Sequence, residues 1–212
     1  MLATISCPRR YPSDLHPRFL EERHAARRRL FGYSLLAVFL TALLTILTLP
    51  GTSWCQKSSG KFELKTTAFQ PGGDIPKQFT CDGADISPAL SWTTPPAGTQ
   101  SFALIMDDPD APRGTFVHWV LFNLPASERH LPERVPGNEE LRSGARQGIN
   151  GFPKTGYGGP CPPGGKPHRY FFKLYALDTK LNLNAGTDKQ GVEEAMKGHV
   201  LAQAELMGRY AR

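Results

Sequence analysis

The chain has 212 residues and a formal net charge of +6, from 25 Lys and Arg against 19 Asp and Glu. With 40% hydrophobic and 10% aromatic residues, it is too apolar to be wholly disordered. Its 21 glycines and 19 prolines are too many for a helical bundle and lack the triplet period of collagen. A basic chain of this kind is a candidate nucleic-acid binder, so the position of the charges matters first.

Most of the positive charge lies in an N-terminal tail. Residues 1–34 hold seven arginines and three acidic residues, a net +4, which leaves +2 for the other residues. A nucleic-acid-binding domain carries its basic residues on a folded face or along a helix. This distribution argues against nucleic acid as a partner.

An apolar run follows the tail at residues 30–49, 20 residues without a charged side chain. A helix of that length can span a bilayer. Arg27–Arg29 immediately precede the run, and the positive-inside rule then leaves the N-terminus in the cytoplasm and exports the rest. We therefore expect residues 1–29 to be a basic cytoplasmic tail and residues 30–50 to be a signal peptide or transmembrane anchor. The rest of the protein would be extracytoplasmic.

The sequence leaves open whether this segment is removed. Small residues at Gly51 and Ser53 permit cleavage before Trp54, which would give a secreted or periplasmic protein. The long basic tail favours instead an uncleaved anchor, which would hold the protein on the membrane through residues 30–49. A buried core helix is disfavoured, because the run has no amphipathic pattern.

One domain is predicted at residues 61–212, after a linker of small and polar residues at 51–60. Fifteen of the 19 prolines and 14 of the 21 glycines lie between Pro71 and Pro167, so this part cannot be mostly helical. Three apolar runs rich in β-branched and aromatic residues predict central strands of packed sheets. They are residues 101–106, 115–124 and 169–177.

Helical spacing appears only near the C-terminus, in two sets of positions. They are Val192, Ala195, Met196 and His199, followed by Val200, Leu201 and Ala204. Gly191 or Thr187 is a possible start for this stretch, and Gly208 a possible end. The sequence thus predicts a mostly β protein, a β-sandwich with one or two short C-terminal helices.

Polar side chains interrupt the apolar strands at two places. His118 lies inside the run at 115–124, and a period of two places it on one face with Phe116, Val120 and Phe122. Asp108 and Asp110 follow the first run in the rigid string DPDAP (108–112). The histidine is either a satisfied core residue or part of a site. The aspartates either cap backbone amides or present fixed carboxylates.

A third feature is the loop at residues 156–170, which is dense in glycine and proline and ends in His168-Arg169-Tyr170. His168 and Tyr170 share parity and can face one cavity. Two histidines, an aspartate and a tyrosine beside such a loop suggest an anion pocket, because imidazoles and backbone amides donate to phosphate oxygens. The alternative interpretation is a connecting loop with a surface histidine.

Together these strings resemble the phosphatidylethanolamine-binding protein family, and more closely its bacterial Raf kinase inhibitor-like branch. The matching strings are DPDAP (108–112), GTFVHWVLFN (114–123), GPCPPGGKPHRYFFKLYALD (159–178), FTCDGADISPALSW (79–92) and GHVLAQAELMGRY (198–210). The resemblance covers roughly residues 62–210. It implies an antiparallel β-sandwich with a small anion-binding pocket near one edge.

The resemblance also implies which residues form the pocket. They are Asp108, Asp110, His118, Gly159, Pro160, His168 and Tyr170. An aromatic wall is kept at Phe116. The C-terminal helix that gates the pocket in animal members has no counterpart after Tyr210, so a more open pocket is expected, and kinase regulation does not carry over safely from those members.

The expected function is non-catalytic binding of a phosphate-bearing or other anionic ligand, such as a phospholipid head group, without a cofactor. Metal binding by the histidines and aspartates lacks a His-x-x-x-His or Cys-x-x-Cys spacing, and a serine hydrolase lacks Gly-x-Ser-x-Gly. The alternative is an inhibitor of serine proteases or kinases that acts through surface loops, above all residues 126–157. Cys81 and Cys161 could form a disulfide in an oxidising compartment, and the sequence leaves that open.

Overall fold

The computed structural model describes residues 60–212. Within them it has eight strands, a short 3-10 turn at Lys77–Phe79 and one α-helix, α1, at Lys189–Met196. The strands are β1 (Leu64–Lys65), β2 (Leu90–Trp92), β3 (Ser101–Asp108), β4 (Phe116–Pro125), β5 (His130–Leu131), β6 (Arg146–Gln147), β7 (His168–Leu177) and β8 (Val200–Tyr210).

The strands form two antiparallel sheets. The small sheet has the order β1-β2-β5, and the large sheet has the order β6-β4-β3-β7-β8. The three predicted apolar runs became β3, β4 and β7, the inner strands of the large sheet. Strands buried on both faces need apolar side chains at nearly every position, so the prediction of a mostly β protein is confirmed.

The main hydrophobic core lies between the two sheets. Phe102 of β3 and Phe172 of β7 face Leu90 and Trp92 of β2 there. The rings of Trp92 and Phe102 meet edge to face, with 5.4 Å between their centroids. This layer makes the large sheet the rigid support from which the site residues project.

A second, smaller core lies on the opposite face of the large sheet. Ile105, Val120 and Phe122 pack there against Val192 and Met196 of α1. The helix therefore covers the face of the large sheet that the small sheet leaves open. Both faces of the central strands are shielded from water in this way.

Only the first of the two predicted helical segments is a helix. It begins after Asp188, whose side chain accepts a hydrogen bond from the Gly191 amide at 2.9 Å, and not at Thr187 or Gly191. Gly198, with a φ of +79°, follows the end of the helix.

The second segment, which starts at Val200, is strand β8. Ala204, Leu206 and Gly208 are buried at every second position, as in a strand, and β8 pairs with β7 along its length. The helical spacing of Val200, Leu201 and Ala204 was misleading, because a ladder with a neighbouring strand outweighs a short local pattern.

Within residues 60–212 no helix is both long and apolar enough to cross a membrane. The predicted basic tail, the predicted signal or anchor segment and nearly all of the predicted linker lie outside the described residues.

Candidate functional site

Three inner strands bring the candidate residues to one end of the large sheet. Strand β3 runs antiparallel to β4 and β7, so its last residue, Asp108, lies beside their first residues. Asp108 pairs with Phe116 of β4, and His168 opens β7. Residues separated by as much as 60 positions in sequence therefore meet at one point.

A β-bulge turns His118 toward this point. Met106 pairs with Trp119 and Asp107 pairs with Val117, which leaves His118 as the extra residue of β4. Strict alternation had placed His118 on one face with Val120 and Phe122, and this expectation was wrong. Val120 and Phe122 lie in the core under α1, whereas the His118 ring packs against Tyr170, which belongs to the core between the sheets.

The His118 ring is buried and held by the Gly-rich loop. Its Nδ1 lies 2.7 Å from the carbonyl oxygen of Gly158, and only a protonated Nδ1 can donate to that oxygen. Nε2 is thereby left without a partner within residues 60–212. Burial lowers the pKa of His118 below its usual value of 6.5, although the Gly158 carbonyl opposes this. The ring is consequently neutral at neutral pH, and its Nε2 is an acceptor until a proton arrives.

His168 is oriented by a buried carboxylate. Its Nδ1 lies 2.8 Å from Oδ2 of Asp108, and Oδ1 of Asp108 accepts the Asp110 amide at 2.8 Å. Both Asp108 oxygens are therefore engaged, and the side chain is only 4% exposed. Asp108 acts as a positioning residue that fixes the orientation of the imidazole.

A cavity of about 160 Å³ opens in front of these three side chains. Its lining consists of polar groups on one side and of apolar side chains from three loops on the other. The lining residues are Asp108, Ala111, Pro112, Phe116, His118, Phe152, Cys161, Pro162, Pro163 and His168. We call this space the histidine cavity.

Aromatic rings form one wall of the histidine cavity. The Phe116 ring lies 5.1 Å from the His118 ring and 4.8 Å from the Phe152 ring, both at steep angles. Phe116 was expected in this role from the family resemblance. Phe152 was not, because nothing in the string Gly151-Phe152-Pro153 distinguishes a wall residue from an exposed loop residue.

Buried Asn150 holds the loop that carries Phe152. Its Oδ1 accepts the Phe152 amide at 2.9 Å, and its Nδ2 donates to the Gly156 carbonyl at 2.9 Å. A buried amide with these two bonds fixes both the aromatic wall and the start of the Gly-rich loop. An asparagine in a stretch rich in glycine predicts only a turn, so the sequence carried no signal for it.

Gly159 and Pro160 lie behind the cavity wall and do not line it. The Gly159 amide donates to Oδ1 of Asp85 at 2.6 Å, and the Pro160 carbonyl accepts the Cys81 amide at 3.1 Å. Neither group is thus available to a ligand in this arrangement. Their role here is to clamp the Gly-rich loop onto the segment that follows Phe79.

Cys81 and Cys161 form a disulfide at the same contact, with 5.4 Å between their Cα atoms. The Tyr157 hydroxyl also donates to the Phe79 carbonyl at 2.7 Å. The loop wall that contains Cys161 is therefore fastened by one covalent bond and several hydrogen bonds. The sequence placed both cysteines in loops next to the pocket motifs, and the structure joins them.

Asp110 points away from the histidine cavity toward Arg169. Its carboxylate accepts the Arg169 side chain in a two-bond pair at 2.9 and 2.7 Å. Hydrogen bonding to Arg169 lowers the pKa of Asp110 to about 2. The pair ties the loop between β3 and β4 to strand β7 and keeps Asp110 ionised.

Tyr170 lies behind His118, with 5.2 Å between the two rings, and is not part of the cavity lining. Its hydroxyl is buried and has no hydrogen-bond partner within residues 60–212. Burial, and next the charge of Asp108, raise its pKa. Tyr170 therefore stays neutral and packs behind the His118 ring.

The site can accept hydrogen bonds at neutral pH and donate them once an imidazole is protonated. Its charge is set by one carboxylate and two histidines, so a bound anion and a bound proton favour one another. Within residues 60–212 no cluster of three His, Cys, Asp or Glu side chains is arranged to hold a metal ion.

The fold and this site define a class of protein: an antiparallel two-sheet sandwich with a small histidine-lined cavity at one end of its central strands. The sequence profile of the phosphatidylethanolamine-binding protein family matches residues 65–211. The chain belongs to this family.

Relatives in other organisms support the assignment. A UPF0098 protein of Methanothermobacter thermautotrophicus is 54% identical over 149 residues, which are 70% of this chain and 98% of that protein. A UPF0098 protein of Aquifex aeolicus is 52% identical over 152 residues, 71% of this chain and 88% of that protein.

Two solved structures share the fold. The phosphatidylethanolamine-binding protein homologue CT736 of Chlamydia trachomatis has a TM-score of 0.66 and 40% identity, and the match covers 71% of this chain and 97% of CT736. YbcL of E. coli has a TM-score of 0.67 and 34% identity, and the match covers 71% and 98% of the two chains.

Proposed function

We propose that the protein binds a small phosphate-bearing or other anionic ligand in the histidine cavity and catalyses no reaction on it. The observation that carries this proposal is the pair of histidines with occupied Nδ1 atoms, at 2.7 and 2.8 Å from their acceptors. Each ring thus directs a free Nε2 at the ligand. Protonated imidazoles are good donors to phosphate oxygens.

The charge and the size of the histidine cavity restrict which ligands can bind there. The buried Asp108 would repel an anion unless a proton on His168 or His118 offsets it, so binding takes up a proton or uses a ligand that brings one. The volume of about 160 Å³ is below the range of about 300–1,000 Å³ found for drug-sized ligands. A single phosphate-like group with a short substituent fits, and the rest of a larger ligand would lie outside.

The family supports the same ligand chemistry, since its description names phosphatidylethanolamine, a lipid with a phosphate in its head group. We also propose that the protein acts outside the cytoplasm, either released or anchored to the membrane through residues 30–49.

The test is a calorimetric titration of the full chain with inorganic phosphate and with phosphoethanolamine. We expect saturable binding that His168→Ala weakens about tenfold or more, because a charged hydrogen bond is lost. His130→Ala is the matched control, since His130 lies exposed on β5 and does not line the cavity. Unchanged binding by the His168 variant would overturn the site.

The same samples test the alternative function. If the protein instead inhibits serine proteases or kinases through residues 126–157, it should slow such an enzyme without phosphate binding. Inhibition that survives His168→Ala, together with no phosphate binding by the unmodified chain, would replace the small-ligand proposal by the inhibitor.

A further inference from the structure

A second and larger cavity lies at the other end of strand β4. It has a volume of about 410 Å³ and shares no lining residue with the histidine cavity. Leu124, at the end of β4, belongs to its lining, whereas Phe116 at the start of β4 lines the histidine cavity. This volume falls within the range of about 300–1,000 Å³ of small-molecule pockets.

The floor of this second cavity is apolar. Leu124, Leu131 and Val135 are buried members of the core between the sheets, and Leu141 packs against the same core. The cavity thus gives a ligand access to the main core without any rearrangement. Apolar surface of a ligand would be removed from water here, which is the usual driving force for such sites.

Buried hydrogen bonds hold the wall of the second cavity in place. The side chain of Gln147, fully buried, donates to the carbonyls of Pro136 and Asn138 at 2.7 Å each. Its Oε1 accepts the Trp119 indole at 2.8 Å, and the Val135 amide donates to Ser87 Oγ at 2.9 Å. A cavity with such a wall is preformed, so ligand binding costs little free energy for ordering the wall.

The rim carries one acidic group that is free and partly shielded. Glu128 is half-buried, and its carboxylate has no hydrogen-bond or ion-pair partner within residues 60–212. The other acid of the rim, Glu140, is paired with Arg146 at 2.8 Å. The two basic rim residues, His130 and Arg142, are exposed, where a charge interacts weakly. Glu128 therefore sets the charge preference near the apolar floor.

We propose that the second cavity is a binding site for a small apolar molecule that carries one basic amine. The apolar body of the ligand lies on Leu124, Leu131 and Leu141, and its ammonium group faces Glu128. This ligand is opposite in charge to the one proposed for the histidine cavity, so the two sites are independent in chemistry.

The test uses two probes with the same apolar body, phenethylamine and hydrocinnamate, titrated calorimetrically into the full chain. We expect saturable binding of phenethylamine and weaker binding of hydrocinnamate. Glu128→Gln should weaken phenethylamine binding about fivefold, the worth of a partly exposed ion pair. Glu205→Gln, which removes an exposed acid on β8, is the matched control and should change nothing.

Two further variants test the position of the probe. Leu141→Trp fills the floor, and Ser143→Phe, at the exposed rim, narrows the opening without disturbing the core. Either should abolish phenethylamine binding while phosphate binding at the histidine cavity persists in the same sample. Absence of saturable phenethylamine binding, binding that none of the variants alters, or stronger hydrocinnamate binding that Arg142→Gln removes would each overturn the proposal.

Discussion

The two histidines of the cavity differ in what holds them, although they face the same space. His168 has a carboxylate behind it, whereas His118 has a neutral carbonyl and three aromatic rings around it. Burial among aromatic rings disfavours the imidazolium form and lowers the pKa of His118, whereas the carboxylate of Asp108 fixes the orientation of the His168 ring.

The lowered pKa of His118 predicts a pH dependence of stability. In the unfolded chain His118 has its usual pKa of 6.5 and binds a proton below that pH, whereas the folded chain binds this proton only at lower pH. The free energy of unfolding therefore falls as the pH drops below 6.5. Urea unfolding of the full chain between about pH 8 and about pH 5 measures the slope. His118→Asn keeps a donor for Gly158 but cannot titrate, and it should flatten the slope.

The matched control for this experiment is His130→Asn, at an exposed position on β5. It should leave the slope as in the unmodified chain. Equal slopes for His118→Asn and the unmodified chain would contradict the neutral, buried state assigned to His118.

At the scale of elements, the Gly-rich loop is a wall that other segments hold. Gly159 is essential to this contact, because a Cβ there would lie 2.5 Å from the Phe79 carbonyl oxygen and 2.7 Å from Oδ1 of Asp85. The close approach brings together the disulfide, the Asp85 bond and the Tyr157 hydroxyl. The density of glycine in this loop thus serves backbone approach to protein rather than to a ligand.

Gly159→Ala should therefore push the loop off the Phe79 segment. We expect a loss of about 1–3 kcal/mol in the free energy of unfolding, as for overpacking elsewhere, together with weaker phosphate binding. Gly164→Ala is the control, because a Cβ at Gly164 has no neighbour within 4 Å. The measurements are denaturant unfolding and phosphate titration of both variants. Equal stability and equal phosphate binding of the two variants would contradict the role of Gly159 in holding the loop against the Phe79 segment.

At the scale of the whole molecule, the described domain follows an N-terminal part whose role we propose from sequence alone. Within the domain, the histidine cavity and the second cavity differ in chemistry and lie at opposite ends of strand β4. The tail carries +4 of the net charge of +6 and precedes the apolar run. The export that we propose would account for this distribution of charge through membrane topology rather than through ligand binding.

The export that we propose predicts where the full chain is found and in which redox state its cysteines are. Expressed in a bacterium, it should fractionate with the membrane or the periplasm, and peptide mass spectrometry should find Cys81 joined to Cys161. The proposal rests on the uncharged run at 30–49 and on the arginines that precede it. Replacement of Arg27–Arg29 by glutamine should reduce export, whereas Lys57→Gln after the run should not. Recovery of the unmodified chain in the soluble cytoplasm with both thiols free would contradict export.

Much of the fold was readable from the sequence because long buried strands have an unambiguous composition. The runs that became β3, β4 and β7 are apolar on both faces, and the prolines and glycines between them exclude helix. Strand β8 was missed because its apolar spacing over a few residues fits both periods. Pairing with β7 decided its conformation, and that pairing is a long-range interaction.

The residue types of the candidate site could be predicted from local strings, because an aspartate or a histidine within an apolar strand stands out in the sequence. The geometry of the site could not be predicted in this way. Three features of the geometry each depend on a partner that is distant in sequence. They are the bulge at His118, the hydrogen bond from the Gly159 amide to Asp85, and the ion pair of Asp110 with Arg169. The position of Phe152 in the wall of the histidine cavity, and the second cavity itself, arise only because separate loops meet in space. Composition and periodicity are properties of neighbours along the chain, whereas register, close approach and enclosed volume are set by contacts that only folding creates.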